Sequence, residues 1–281
     1  MVALGKAGGR EMSAGSDLDL MTVHAPSPVD VVSSKRGWGA ETFFARFTQR
    51  MITALSAKTA AGDLYEVDMR LRPSGSSGPV AVSLPRLEGY YAGEAETWEF
   101  LALTRARVVW ATSPEFAAEV GRAIETGLRK PRDRRTTLAD VRAMRALMAK
   151  EKPPSGPWDL KLCSGGLVDI EFAAQALQLI YAPEGGPLAS NTGEALERLG
   201  AAGLFDPARL ADLQSAWMLQ QELTQVMKLA LPDNADPAQE PPKFRALMSR
   251  AAGARDFRSL VAQLKKAQVA ANAAFKAAVA G

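Results

Sequence analysis

Three aspartates occupy positions where their carboxylates could act together. Asp17 and Asp19 lie two residues apart at the start of a predicted strand, so the alternation of side chains puts both on one face. Asp68 lies within the next strand pattern and would join them if the two strands are neighbours. Crowded carboxylates repel one another and are usually held ionised by a cation, and oxygen ligands suit Mg²⁺. The spacing therefore predicts two-metal chemistry, in which the ions hold a nucleoside triphosphate and activate a hydroxyl.

A glycine pair upstream of the aspartates extends this prediction. Gly8 and Gly9 would let backbone N–H groups approach phosphate oxygens, and the start of a following helix would add its dipole. The predicted order is a glycine turn, a short helix, the segment from Ser16 to Asp19, and a long connection to Asp68. This order favours catalysis, although glycines also make tight turns and an Asp-x-Asp pair at a strand edge is often a solvated turn.

Two arginines follow the third aspartate and have two interpretations. Arg70 and Arg72 alternate with Asp68, so all three side chains would share one face of the predicted strand. Guanidinium forks match phosphate oxygens, which makes both arginines candidate phosphate ligands. The alternative is a structural ladder of ion pairs with Asp68.

Two kinds of hydrophobic pattern divide the chain. Strand patterns over residues 2–4, 18–24 and 64–71 and a helical pattern over 38–55 are separated by loops over 25–36 and 73–79. Helical patterns dominate the later part, over residues 138–148, 170–181, 213–227 and 257–279, with a loop over 232–242. We therefore predict an α+β domain over residues 1–113, followed by an all-helical domain over residues 114–281.

The composition is typical of a globular, cytoplasmic protein. The 281 residues include 34 basic and 31 acidic side chains, a net charge of +3 that is too balanced to favour a nucleic-acid binder. One cysteine, Cys163, and one histidine, His24, exclude an internal disulfide, a zinc cluster and a histidine-dependent triad. No stretch reaches the ~18 apolar residues of a transmembrane span. Because a strand pattern starts at once at residue 2, we expect a fragment of a longer protein.

Longer motifs resemble a known enzyme family. The segments 8–11 (Gly-Gly-Arg-Glu) and 16–20 (Ser-Asp-Leu-Asp-Leu) resemble the signature of the DNA polymerase β-type nucleotidyltransferases. The segments 65–75, 97–99, 103–108 and 165–172, together with Lys161, are similar to motifs of the bacterial glutamine synthetase adenylyltransferase, also called the adenylyl-removing enzyme. The matches run in the family's order. They imply a polymerase β-like domain, with a small mixed sheet and helices, followed by a helical bundle.

The resemblance implies a role for the matched residues. Asp17 and Asp19 would bind Mg²⁺ or Mn²⁺, and Asp68 would complete the catalytic and metal site. The residues implied to bind nucleotide or phosphate are Gly8, Gly9, Arg10, Ser16, Arg70, Arg72 and Lys161.

Three further residues are implied to support the site, and each has a structural alternative. Arg105 could clamp phosphates or simply pair with Glu96 and Glu99. Asp169 and Glu171, like Lys161, could contact the nucleotide or the first domain, or could form a cluster of helix caps and interdomain ion pairs.

The implied reaction transfers AMP from ATP to a tyrosine of glutamine synthetase, releases pyrophosphate and regulates nitrogen metabolism. The segments 65–66, 74–75 and 97–99 look more like the adding half of the family than the removing half. The alternatives are phosphorolytic removal of AMP as ADP, a docking module without catalysis, and a nucleotidyltransferase directed at antibiotics or nucleic acid. The implied partners are glutamine synthetase and the PII signal protein, with no nucleic acid and no membrane.

Overall fold

A computed structural model describes residues 1–27, 32–60, 62, 65–233 and 235–280. The chain divides into two compact units, Met1–Lys130 and Pro131–Gly281. The first unit mixes strands and helices, as predicted, and the second unit contains only helices as regular elements in its described residues. No helix in the described ranges is both long and apolar enough to cross a membrane.

The first unit is built on a small mixed sheet. Its strands are β1 (Val2–Ala3), β2 (Leu18–His24), β3 (Val67–Asp68), β4 (Ala81–Ser83) and β5 (Arg107–Val108). Its helices are α1 (Gly5–Gly9), α2 (Ala40–Leu55), α3 (Leu84–Gly93), α4 (Thr97–Thr104) and α5 (Pro114–Arg129), with a single 3₁₀ turn at Gly75–Ser77.

Strand β2 organises this sheet, whose order is β3-β2-β1-β5. Strand β1 is antiparallel to both β2 and β5, whereas β3 and β4 run parallel to successive parts of β2. The apolar side chains of β2 explain its central place, because Leu20, Met21 and Val23 are all buried. The sheet therefore holds the start of β2, where the candidate aspartates lie, between β1 and β3.

Two predicted boundaries in the first unit differ from the structure. The strand predicted over 64–71 is limited to Val67–Asp68 among the described residues, and Leu64 lies outside them. Part of the loop predicted over 25–36, residues 28–31, also lies outside the described residues. The loop over 73–79 contains the 3₁₀ turn, and the helix predicted from residue 38 begins at Ala40.

Helix α5 belongs to the first unit, so the boundary follows Lys130 rather than residue 113. Ser113 caps its start by accepting the backbone N–H of Phe116, and Pro114 opens its first turn. Its buried face packs against α3 and α4. A Cβ on Gly127 would lie 3.1 Å from the Cβ of Tyr91, so this helix sits closely on α3. Hydrophobic burial therefore outweighs the change from strand to helix patterns that set the predicted boundary.

The described residues of the second unit form six α-helices that pack on one another. They are α6 (Arg134–Glu151), α7 (Leu167–Tyr181), α8 (Thr192–Ala201), α9 (Pro207–Ala230), α10 (Pro242–Ala251) and α11 (Phe257–Ala278). The side chains of Asp133, Asn191, Asp206 and Asp256 accept the N–H group three residues later and fix four of the helix starts. The predicted loop over 232–242 carries a 3₁₀ turn at Pro237–Gln239, and its residue Asn234 lies outside the described residues.

One hydrophobic cluster of the second unit lies where α9, α10 and α11 meet. Leu223, Met248, Leu260 and Leu264 are buried together there. Trp158 packs against this cluster and stacks on Phe257, with ring centroids 5.6 Å apart. Burial at helical spacing along α9 and α11 explains why the sequence pattern predicts these helices.

Candidate active site

The structure brings the three aspartates to one end of β2. Strand β3 pairs with β2 in parallel, and the register places Asp19 directly beside Asp68. The N–H of Leu18 donates to the carbonyl of Glu66 over 2.8 Å and fixes this register. Asp17 lies two residues before Asp19, immediately ahead of the strand, and is exposed. The two strands are therefore neighbours in the sheet, as predicted.

The guanidinium of Arg70 interacts electrostatically with all three carboxylates. The pKa of Arg70 is raised, mainly by its hydrogen bonds and charge interaction with Asp68 and then by the charges of Asp19 and Asp17. Opposite charges favour the charged form of a group, so all three acids stabilise the Arg70 cation. The arrangement concentrates negative charge at the start of β2, which is the electrostatic condition for binding a divalent cation.

Arg70 binds Asp68 through several hydrogen bonds. Its Nε donates to Oδ1 at 3.0 Å and to Oδ2 at 2.8 Å, and its backbone N–H donates to Oδ1 at 2.7 Å. The guanidinium holds the pKa of the Asp68 carboxyl below its ordinary value, although partial burial acts in the opposite direction. Because Asp68 captures the backbone N–H that would continue the ladder, β3 ends there and Arg70 begins a turn. The prediction that Asp68, Arg70 and Arg72 share a strand face is therefore wrong.

Arg72 has a structural environment. It is buried, and its guanidinium donates to the carbonyls of Met69 at 2.6 Å, Pro79 at 2.9 Å and Gly78 at 3.1 Å. Burial lowers the pKa of this guanidinium, with the charge of Asp68 partly opposing that effect. The side chain folds the loop after Asp68 onto itself. This geometry favours the structural interpretation of Arg72, with backbone carbonyls instead of acids as its partners.

The acids offer oxygen donors of the kind that Mg²⁺ and Mn²⁺ take. As the side chains stand, no three of the described acidic, histidine or cysteine groups are close enough to hold one ion. The backbone register of Asp19 and Asp68 nevertheless fits a shared cation, and Asp17 is on the same end of the strand. Asp68 would contribute to such a site by exchanging Arg70 for the metal.

The glycine pair does not form a turn ahead of a helix. Gly8 and Gly9 are the buried last residues of α1, and the N–H of Gly8 donates to the carbonyl of Leu4 at 2.7 Å. A Cβ on Gly8 would lie 2.0 Å from the carbonyl oxygen of Arg105 and 2.7 Å from that of Ala3. Arg10 then ends the helix in the left-handed region, with φ of 58°. Close backbone packing, rather than approach to phosphate, accounts for Gly8.

Gly8→Ala should lower the free energy of unfolding by about 2–4 kcal/mol, because the new methyl group meets two backbone atoms that cannot rotate away. Urea unfolding followed by circular dichroism measures this. The matched control is Gly89→Ala in α3, where a Cβ meets nothing within 4 Å. That control should gain about 0.5–1 kcal/mol from helix propensity. A stable Gly8→Ala protein with weakened ATP binding would restore the phosphate interpretation.

Two arginines just before and in β5, Arg105 and Arg107, bind backbone carbonyls of α1. Arg105 forms a buried ion pair with Glu11 at 2.8 Å, and its Nε donates to the carbonyl of Gly5 at 2.9 Å. Arg107 donates to the carbonyls of Gly8 at 3.0 Å and Ala7 at 2.9 Å, which closes the C-terminal end of the helix. These residues favour the structural interpretation of Arg105.

The acids predicted as partners of Arg105 are used elsewhere. Glu96 and Glu99 form a capping box at the start of α4, and Glu99 also accepts the hydroxyl of Tyr90 at 2.6 Å. The predicted pairing of Arg105 with these two acids is therefore wrong. Glu11, its actual partner, is nearly a hundred residues away in sequence, and no local pattern indicates that contact.

Gly5 contacts the site, although it lies outside the glycine pair and the aspartate segment predicted from the sequence. Its φ is +49°, and a Cβ there would lie 2.1 Å from Oδ2 of Asp19. The carboxylate of Asp19 thus packs directly on the first residue of α1, which Arg105 in turn binds. The Gly5 position could have been suspected from a glycine beginning a helix directly after a strand.

Ser16 is engaged in the turn that leads to the aspartates. Its hydroxyl lies 3.0 Å from the N–H of Ser13, which donates to it, and 3.1 Å from the hydroxyl of Ser13. This turn sets the direction in which the chain enters β2. A contact between the Ser16 hydroxyl and a phosphate would have to coexist with the hydrogen bond that this hydroxyl accepts from Ser13.

In the second unit, Asp169 is the centre of a buried network. It forms an ion pair with Arg145 and accepts hydrogen bonds from the N–H of Gly165 and from Nδ2 of Asn272. Arg145 also donates to the carbonyl of Leu162 at 3.0 Å. The network fixes the loop before α7 and favours a structural role for Asp169. Lys161 is exposed on that loop.

His24 and Cys163 are both buried away from the aspartates' sequence motifs. His24 is buried and stacks on Phe44, with centroids 4.6 Å apart. Burial raises the pKa of the Cys163 thiol to about 12, so little thiolate exists near neutral pH. Neither residue is therefore a candidate for the active site.

Two known families match separate parts of the chain and indicate its class of protein. Residues 1–123 match the family model described as "Glutamate-ammonia ligase adenylyltransferase", and residues 140–237 match that described as "GlnD PII-uridylyltransferase". Both descriptions name nucleotidyltransferases, the class that the paired aspartates predict. The two matches fall in the first and the second unit, respectively.

Individual relatives are similar to the chain over nearly all of its length. The chain is 56% identical over all of its length to the bifunctional glutamine synthetase adenylyltransferase/adenylyl-removing enzyme of Caulobacter vibrioides. It is 44% identical over 98% of its length to the enzyme of the same name from Xanthobacter autotrophicus. The chain is therefore similar, over nearly all of its length, to bifunctional glutamine synthetase adenylyltransferase/adenylyl-removing enzymes, as its motifs predict, and spans 28% of the length of each of these relatives.

Proposed function

We propose that the first unit transfers AMP from ATP to a tyrosine of glutamine synthetase. The observation that carries the proposal is the in-register pairing of Asp19 with Asp68, in a chain whose relatives are named for this activity. The parallel β2–β3 pair also supports a polymerase β-like fold for this unit. Glutamine synthetase is the proposed partner and the cytoplasm the proposed location, with PII acting through the full-length protein.

The chain's own residues position the reactants. Asp17, Asp19 and Asp68 would hold Mg²⁺ or Mn²⁺, which would supply neutralisation of the triphosphate and of the pyrophosphate that leaves. The tyrosine oxygen forms a bond to the α-phosphorus as the bond between that phosphorus and the oxygen bridging to the β-phosphate breaks. Pyrophosphate leaves with that oxygen, and the hydroxyl proton passes to solvent water. The contact with Arg70 lowers the pKa of Asp68. In this state Asp68 is therefore better suited to ligate a cation than to accept that proton.

The motifs support one direction of transfer over the other. The segments 65–66, 74–75 and 97–99 resemble the adding half of the family, so adenylylation is the first candidate. The second candidate is removal of AMP by phosphate, giving ADP, because the relatives' names include both activities.

The test is to incubate the chain with unmodified glutamine synthetase, Mg²⁺ and ATP labelled at the α-phosphate. Label on a tyrosine, with release of pyrophosphate, is the expected result. Release of ADP from adenylylated glutamine synthetase and phosphate, without labelling in the first assay, would instead assign removal. Tight binding to glutamine synthetase with no ATP binding would support the docking module.

A further inference from the structure

Arg70 occupies the oxygens of Asp68 that a metal would need. Its guanidinium contacts both carboxylate oxygens, while its backbone N–H separately holds Oδ1. The backbone contact orients the carboxylate and does not depend on where the guanidinium lies. The side-chain contact, in contrast, neutralises the charge that would attract a divalent cation.

The guanidinium is free to leave. The side chain of Arg70 is 78% exposed, whereas that of Asp68 is only 17% exposed. An exposed ion pair contributes little net stability, because solvent screens it and the long side chain loses freedom in one geometry. Asp68 is therefore the enclosed partner, and the Arg70 guanidinium can be hydrated by solvent if it leaves.

Arg72 shows the opposite arrangement two residues later. It is buried, and its donors are bound to the carbonyls of Met69, Gly78 and Pro79. Releasing it would leave those carbonyls and a buried cation without partners. Only the first of the two motif arginines can therefore exchange one anion for another.

We propose that Arg70 is an exchangeable counter-ion, which leaves Asp68 when the metal binds and then binds the phosphates of the nucleotide. The exchange keeps charges matched at each stage, since the metal replaces Arg70 on the aspartates and the triphosphate supplies a new anion for the guanidinium. The inference rests on the proposed nucleotidyltransferase function and gives Arg70 a role beyond its pairing with Asp68.

The exchange predicts effects of opposite sign in one variant. In Arg70→Gln, Mn²⁺ without nucleotide should bind about threefold to tenfold more tightly, because a competing cation is gone. A non-hydrolysable ATP analogue with Mg²⁺ should bind about fivefold to tenfold more weakly, because a phosphate ligand is gone. Electron paramagnetic resonance of free Mn²⁺ and calorimetry of the analogue measure the two affinities.

Two further variants make the comparison specific. Arg70→Lys keeps the charge but loses the fork, so both affinities should lie between those of the wild type and Arg70→Gln. Arg86→Gln is the matched control, because Arg86 forms an exposed two-pronged pair with Glu94 and its pKa responds to none of the three aspartates. That control should leave both affinities within twofold of the wild type.

The outcomes separate the two proposals. Unchanged or weaker Mn²⁺ binding by Arg70→Gln, with measurable binding by the wild type, overturns the exchange and leaves the metal site standing. Tighter Mn²⁺ binding with unchanged analogue binding also overturns it, since Arg70 then has no second anion. If neither protein binds Mn²⁺, the metal site and the exchange both fail.

Discussion

Replacing Asp19 with asparagine should lower kcat/KM for AMP transfer by at least about a hundredfold, because the substitution removes one of the carboxylates proposed to hold the metal. Asparagine has the same shape, so its contact with Gly5 is retained. Loss of one of three neighbouring negative charges also relieves their repulsion. The melting temperature should therefore stay the same or rise while activity falls, and that combination identifies a functional carboxylate.

The control for this variant is Asp233→Asn, which removes an exposed carboxylate that pairs with Lys228 in the second unit. It should retain full activity, and labelled AMP incorporation measures both proteins under the same conditions. Asp19→Asn with more than a tenth of wild-type activity would rule out the proposed metal role. A large fall in its melting temperature would point to a structural role instead.

Asp169→Ala should destabilise the second unit by about 3–5 kcal/mol, since it leaves the buried guanidinium of Arg145 without its counter-ion. Asp169 is 1% exposed and Arg145 is 9% exposed, so water cannot replace the missing carboxylate. The N–H of Gly165 loses its acceptor as well. Tryptophan fluorescence during urea unfolding should report this, because Trp158 packs in that unit.

A double substitution separates loss of the pair from loss of packing. Arg145→Met combined with Asp169→Leu removes both charges and should recover much of the stability that Asp169→Ala loses. Glu194→Gln, which breaks the exposed pair with Arg198 in α8, should cost less than about 1 kcal/mol. Equal effects of Asp169→Ala and Glu194→Gln would mean that the buried network carries no special weight.

Local patterns predict the elements whose causes are local. Strand β2 has the predicted limits, and its residues from Leu20 to His24 are buried without interruption. The helices of the second unit follow from apolar spacing, and side chains such as Asp206 and Asp256 fix where they begin. The pairing of Asp19 with Asp68 follows from treating two strand patterns as neighbours.

Contacts between distant parts of the chain explain what the sequence patterns miss. The role of Gly8 depends on a carbonyl of Arg105, and Arg105 depends on Glu11, across about a hundred residues in both cases. The end of β3 depends on a side-chain contact, the capture of the Arg70 N–H by Asp68, which a period-two pattern does not encode. Long-range polar contacts therefore set the surroundings of the site.

The bonds from Arg105 and Arg107 to α1 have a consequence for the order of folding. They join residues 99 and 100 positions apart, and β5 pairs with β1 across a similar separation. Such non-local contacts form late, because a long loop must close before they contribute. During synthesis, all three aspartates are made well before the residues that secure the helix beside them. We expect the site to become rigid only after β5 has emerged, so truncation between residues 70 and 104 should give a collapsed chain that is prone to aggregation.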